Sequence, residues 1–398
     1  MAPPSSYRTR VLIAGAGVAG MEAALALRAF AAERVEVELL DPARELVIAA
    51  ESTAGPFGRR PRAMPLAPLA ELSGARLRPE RLQEVLAEDG LALTDGGAAR
   101  GFDRLVVAVG ARAEPVMDGA VTFAGPADVA VVRQMLRRVV QGGRRGLQTR
   151  LAFVVPPGAV WPLPAYELAL QTDRLLRRRG VRDRVSLSLV TAEDAPLGIF
   201  GTLTSEAVAD DLVRAGIALR AGAIVRDWSW GRLTLSPEGD VAVDRVVALP
   251  RQRGPAIPGL PCDAQGFVRA GVDGRVAGRP DVFVVGDAGS FPVKQGGIAC
   301  QQADAVARLI AHELGAPVAP IAFEPVLRGW LWDGDGGRFM RADLAGGRSE
   351  SAGVTSRRAP LWSPAEKVAC RFLAAALRGR PLAPPPADRT FAAEAPPR

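Results

Sequence analysis

Histidine, lysine and cysteine are all scarce in this 398-residue chain. The single histidine, His312, has no second imidazole with which to share proton transfers, which argues against a histidine relay. The three cysteines, Cys262, Cys300 and Cys370, show neither metal-ligand spacing nor the density of a disulfide framework, so no metal site is expected. Cys300 falls in an apolar helical stretch and reads as a small core residue. Cys262 and Cys370 could pair only if the fold brings them within reach. Lys294 and Lys367 are the only lysines; the other cations are arginines, a bias that points to a GC-rich genome more than to a function. No stretch approaches about eighteen continuous apolar residues, so no transmembrane helix is expected.

What is present is the composition of a globular protein, 48% hydrophobic and 23% charged. A chain this long does not close around one small core, and two or three domains are expected. The net charge of +7 suits anionic cofactors, acidic partners or an anionic membrane surface. The clusters Arg137-Arg138, Arg144-Arg145 and Arg177-Arg178-Arg179 read as helix ends and loops. They are not interleaved with aromatics, so nucleic acid is not an expected partner. The segment from Val11 to Phe30 could imitate a signal peptide, but it carries a glycine pattern and Glu22 and reads as core. The default location is the cytoplasm, with peripheral membrane contact and a homodimer left open.

The most informative segment is Val-Leu-Ile-Ala-Gly-Ala-Gly-Val-Ala-Gly from Val11 to Gly20. An apolar strand runs into Gly15-Ala16-Gly17-Val18-Ala19-Gly20 and then into a helix to Phe30, with Glu22, Arg28 and Glu33 as its polar relief. Gly15 permits the tight turn, Gly17 lets the backbone approach a pyrophosphate, and Gly20 lets helix and strand pack closely. A second strand, Val35 to Leu40, ends in Asp41, near the spacing at which a carboxylate receives the ribose hydroxyls of a dinucleotide.

Further along, residues 55–68 read as irregular, and short strands are expected over 76–85 and 91–94. Phe102 to Ala111 reads as a buried strand ending at Gly110. A second strand–helix–strand unit begins at Leu151, with a helix from Tyr166 to Arg179, a strand from Val185 to Val190 and Glu193 at its end. A further helix spans Ser205 to Ala215. Asp281 to Asp287 reads as a strand ending in Gly286-Asp287, and a long helix follows from Ile298 to Leu314. One amphipathic helix is expected from Pro364 to Leu377, and the Pro- and Ala-rich tail from Pro381 reads as disordered.

Gly15-x-Gly17-x-x-Gly20, the strand end at Gly110 and Val285-Gly286-Asp287 together resemble the pyridine nucleotide–disulfide oxidoreductase superfamily of FAD proteins. Within it the likeness is to the sulfide–quinone reductase and type II NADH dehydrogenase branch, through Lys294-Gln295-Gly296-Gly297 and the helix after it. The resemblance implies an α/β fold of two Rossmann-like dinucleotide-binding domains, each of three layers, with a small C-terminal α+β region. It places an FAD-binding domain at 1–112 plus 246–316 and a second, NAD(P)-type domain at 113–245. A flavin-covering or interface region would occupy 317–398. It implies FAD at the first turn, with Asp41 on the ribose, the backbone of Leu82 at adenine and Asp287 on the ribityl chain. Gly297 and Ile298 would lie at the flavin pyrimidine, with Lys294 adding positive charge there.

The second unit departs from the pattern. Its turn, Pro156 to Pro162, has no Gly-x-Gly-x-x-Gly, and its prolines remove N–H donors, which argues against NAD(P)H without excluding it. Trp161-x-x-Pro164-Ala165-Tyr166-Glu167 resembles the Cys-x-x-Pro-Ala-Tyr-Glu run of sulfide–quinone reductases, with Trp161 in the redox-cysteine position. Electron transfer through FAD without a cysteine relay is therefore expected, from NAD(P)H or another small donor to a quinone or other acceptor. Trp161 is a candidate to shield the flavin and Glu167 a candidate acid–base residue. The alternatives are a flavin oxidase or tailoring enzyme on a small organic substrate, and a non-catalytic flavin-binding interaction protein.

Overall fold

The computed structural model describes residues 8–158, 161–229, 231–237, 239–345, 348–349 and 355–382. Its first unit is built on a six-stranded sheet. The order across it is Arg275–Val276, Arg279–Val284, Arg104–Val107, Thr9–Ala14, Val35–Leu40 and Arg76–Arg78. All neighbours are parallel except the first pair. Val11 to Ala14 are apolar at every position because both faces of this strand are covered. The strand order reverses beside Thr9–Ala14, so the C-terminal ends there open a crevice of the kind that binds ligands in such sheets.

The described helices are α1 (Val18–Ala31), α2 (Leu66–Ser73), α3 (Val129–Arg144), α4 (Leu163–Arg178), α5 (Thr202–Arg214), α6 (Gly296–Glu313) and α7 (Phe372–Ala376). Helices α1 and α6 share one buried core with the first sheet. The other face of that sheet carries an antiparallel meander of Leu82–Leu86, Leu91–Thr94 and Ala99–Gly101. The second unit repeats the plan with five parallel strands, Val121–Thr122, Arg245–Ala248, Thr149–Val155, Val185–Thr191 and Ile217–Arg220. A meander of Ile224–Ser229, Arg232–Ser236 and Gly239–Ala242 covers it. Both units are thus three-layered. Two linker strands, Arg112–Glu114 and Arg251–Arg253, pair antiparallel between them. The C-terminal region is an antiparallel sheet with α7.

Several expectations change. Arg245–Ala248 pairs with Thr149–Val155, so residues 246–248, expected in the first domain, belong to the second sheet. Residues 55–68 are not irregular throughout: a 3₁₀ stretch covers Ala49–Phe57, then come the strand Ala63–Pro65 and the start of α2. Helix α4 begins three residues early because Pro164 fits a first turn, where no N–H partner is needed. Arg137 and Arg138 lie inside α3 and not at a helix end. The helix expected from Pro364 to Leu377 shrinks to α7. Upstream of it, Glu366 and Lys367 are held by Arg62 and Glu167, both distant in sequence. The expected disorder from Pro381 falls almost wholly outside the described residues.

Candidate functional site

The first glycine turn has the geometry its spacing predicts. Gly15 has φ +99°, and a Cβ there would stand 2.4 Å from the carbonyl oxygen of Ala108. A Cβ on Gly20 would stand 1.8 Å from the oxygen of Gly15, so strand and helix meet backbone to backbone. Around Gly17 the space within 4 Å is open, and Gly17 is the N-cap of α1. Free amides of that first turn therefore face an opening that a pyrophosphate can fill. Ala16, Val18 and Ala19 complete the turn. The Asp41 carboxylate accepts the N–H of Ala16 at 2.7 Å and of Ala43 at 2.8 Å. It organises the glycine loop itself, a role its spacing alone did not reveal. Each oxygen keeps a second lone pair for a ribose hydroxyl.

Other predicted residues surround the same crevice. Gly110 (φ +73°) has open space where a Cβ would sit. Gly286 (φ +69°) lies where a Cβ would press on Ala19 and Ala299, and its N–H donates to Gln302 at 2.7 Å. Leu82 is buried between sheet and meander with Leu12, Ala14 and Leu40, apart from the cavity described next.

A cavity of about 360 Å³ joins the units and the C-terminal region. Gly17, Asp287, Lys294, Trp161 and Glu167 all line it. Asp287 makes no hydrogen bond among the described residues, and burial raises its pKa against the opposing pull of Lys294. A carboxylate so placed fits a ligand hydroxyl. Lys294 is buried, not the surface lysine its loop position suggests; it donates to Gly289 and lies over the Phe267 ring. Burial lowers its pKa to about 8 despite Asp287 and Asp263. Gln295 caps α6 by accepting the Ile298 N–H at 2.9 Å. The amides of Gly296 and Gly297 have no intrahelical acceptor and form the positive end of the helix at the cavity. Trp161 is half-buried, edge-on to Phe200 at 6.1 Å.

Glu167 proves to be the most heavily engaged group in the site. It is buried, accepts from Thr53 Oγ1 at 2.8 Å and from Trp332 N–H at 2.7 Å, and pairs with Lys367. Lys367 also donates to the Trp330 carbonyl. Burial raises the Glu167 pKa and lowers that of Lys367, each against the attraction of the other. Sequence reading missed Lys367, which is 200 residues from Glu167 in an irregular segment. One signal was available. The only two lysines of this arginine-rich chain line the same cavity. An ammonium can change protonation state when buried, and a guanidinium cannot.

The cysteine expectations change as well. Cys300 and Cys370 form a disulfide with a Cα separation of 5.4 Å across 70 residues. Cys300 sits one turn into α6 and Cys370 two residues beyond the cavity-lining Val368, behind the cavity wall and remote in sequence from Trp161. Glu22 is buried beside them and not polar relief on a surface. Its carboxylate accepts the N–H groups of Arg371, Phe372 and Leu373, and burial raises its pKa to about 7. In the second unit, Glu193 accepts from Tyr166 at 2.7 Å and Thr191 at 2.9 Å. The acid expected at a nicotinamide ribose is thus engaged within the protein. Residues 159 and 160 of the Pro156–Pro162 turn lie outside the described residues.

No family model matches the chain, and no curated protein matches it in sequence. Solved structures do. The sulfide:quinone oxidoreductase of Aquifex aeolicus superposes with a TM-score of 0.77 at 20% identity, over 88% of this chain and 87% of that one. A ferredoxin reductase from Rhodopseudomonas palustris gives 0.65 at 18% identity, over 84% and 82%. NDH2 of Plasmodium falciparum, in complex with NADH, gives 0.58 at 13% identity, over 71% and 65%. The chain shares the fold of these oxidoreductases.

Proposed function

We propose that this protein is an FAD-dependent oxidoreductase that passes an electron pair from a small donor to a small acceptor, with a donor other than NAD(P)H. The observation that carries the reading is one cavity lined by the first glycine turn, the N-terminus of α6, Asp287 and the Glu167–Lys367 pair. The neighbours' names support oxidoreduction, and the first turn supports a flavin dinucleotide. When bound, FAD supplies reversible acceptance of an electron pair.

The chain's own residues would do the rest. The amides at Gly17 and Val18 hold the pyrophosphate, and Asp41 and Asp287 accept hydroxyls. The first amides of α6, with Lys294 nearby, favour negative charge at the flavin edge they face. Trp161 excludes water from that side of the cavity. Glu167 and Lys367 hold one proton between them and release or take it as the cavity changes charge. Pro156, Pro157 and Pro162 remove N–H donors from the second turn, and Glu193 is engaged by Tyr166 and Thr191. Both favour a donor other than a nicotinamide. Acceptors of quinone type fit the half-buried, partly aromatic lining around Trp161 and Trp330.

Reconstitution with FAD followed by visible absorption tests the cofactor. The account expects bound flavin at one per chain, and at least tenfold weaker binding in Asp287→Ala. A protein that stays colourless in excess FAD would contradict it.

A further inference from the structure

A second cavity plays no part in the flavin site. It is a cleft of about 620 Å³ between α3, α4 and the loop after Phe57, open to solvent on one side. Five arginines line it, Arg60, Arg133, Arg137, Arg144 and Arg179, and no carboxylate does. On α3 the spacing from 133 to 137 to 144 keeps three of them on one face.

These charges are uncompensated in a chain where most clustered arginines are not. Arg174, Arg177 and Arg182, only a few residues away, all pair with aspartates. Arg60, Arg137, Arg144 and Arg179 make no ion pair among the described residues. Arg133 donates to the Gly55 carbonyl at 2.6 Å, which holds the 3₁₀ stretch against α3. The carbonyl ends of α3 and α4 favour cations and account for Arg144 and Arg179 singly. They do not account for Arg137 in mid-helix or for Arg60 arriving from another segment. Converging like charges repel unless an anion joins them. Beneath them lie Phe57, Leu136, Val140 and Leu175, an apolar floor.

We propose that this cleft is a binding site for an organic polyphosphate, a compact polyanion carrying a planar or apolar group. Guanidinium forks match phosphate oxygens two at a time, and five of them set around a concavity suit several phosphates close together. The apolar floor takes the organic part, and the volume lies in the range of small-molecule sites. The cleft is distinct from the second dinucleotide-type turn. That turn precedes α4, whereas Leu175 and Arg179 stand at the other end of the helix. The proposal does not rest on the flavin reading.

The test is calorimetric titration of the full chain, reconstituted with FAD and freed of unbound FAD, by adenosine triphosphate and by inorganic tripolyphosphate without magnesium. Two triple variants are compared. One is Arg137→Ser, Arg144→Ser and Arg179→Ser in the cleft; the other is Arg138→Ser, Arg145→Ser and Arg178→Ser on the same helices outside it. Both lose the same charge. The expected result is saturable binding of both probes, tighter for the nucleotide. It weakens at least tenfold in the first variant and less than twofold in the second. Equal weakening in both variants would reduce the effect to net charge and overturn the proposal. So would absence of binding to the unmodified chain, nucleotide binding no tighter than tripolyphosphate, or tighter binding of a hexaglutamate peptide than of either phosphate.

Discussion

Glu167 and Lys367 constrain each other at the scale of single residues. Their side chains are 1% and 3% exposed, so neither charge has water to fall back on if the other is removed. Breaking such a pair from one side costs about 3–5 kcal/mol, because an unpaired charge stays buried. Lys367→Met should therefore lower the urea-derived stability by roughly that much, and Glu167→Gln with Lys367→Met together should recover most of it. The double variant should still bind FAD, since neither side chain belongs to the glycine turn, but should turn over more slowly. Lys294 adds a pH dependence. Its folded pKa of about 8 lies below the 10.5 of a free lysine. Below about pH 8 both states carry the proton, and the folded chain bears the full cost of burying it. From about pH 8 to 10.5 only the unfolded chain stays protonated, so this term makes stability rise with pH, by about 3 kcal/mol in all. Urea midpoints across that window should climb in the parent and lose this component in Lys294→Met.

Among the elements, the Cys300–Cys370 disulfide and the Glu22 carboxylate fasten the C-terminal segment to α6 and α1. That segment delivers Lys367 and Val368 to the cavity. A bridge closing a 70-residue loop contributes about 4 kcal/mol through the unfolded chain. Cys300→Ser should lower the melting temperature, and a dithiol reductant should do the same to the parent but not to the variant. The elements with strong patterns were legible beforehand. Thr9–Ala14, α1, Val35–Leu40 and α6 came within two or three residues, because continuous apolar runs and the glycine turn fix them locally. The three-layer plan followed, and Gly17, Asp287, Lys294, Trp161 and Glu167 line one cavity. The segment from 362 to 371 was not legible. Its order comes from contacts with Glu167, Glu22 and Cys300, all distant in sequence, and its apolar spacing imitated a helix. Residues 246–248 were placed with the wrong sheet for a similar reason, since a four-residue buried strand does not name its neighbour.

On the scale of the whole molecule, two units share one plan, but only the first carries Gly-x-Gly-x-x-Gly at its first turn. Among the described residues no helix is long and apolar enough to cross a membrane. The central claim is that one flavin site operates without a nicotinamide partner. Anaerobic titration of the FAD-reconstituted protein, followed at the flavin bands, tests it most directly. The account predicts that stoichiometric NADH or NADPH leaves the bands unchanged, while sulfide or a small organic donor bleaches them. Prompt bleaching by either nicotinamide would contradict it.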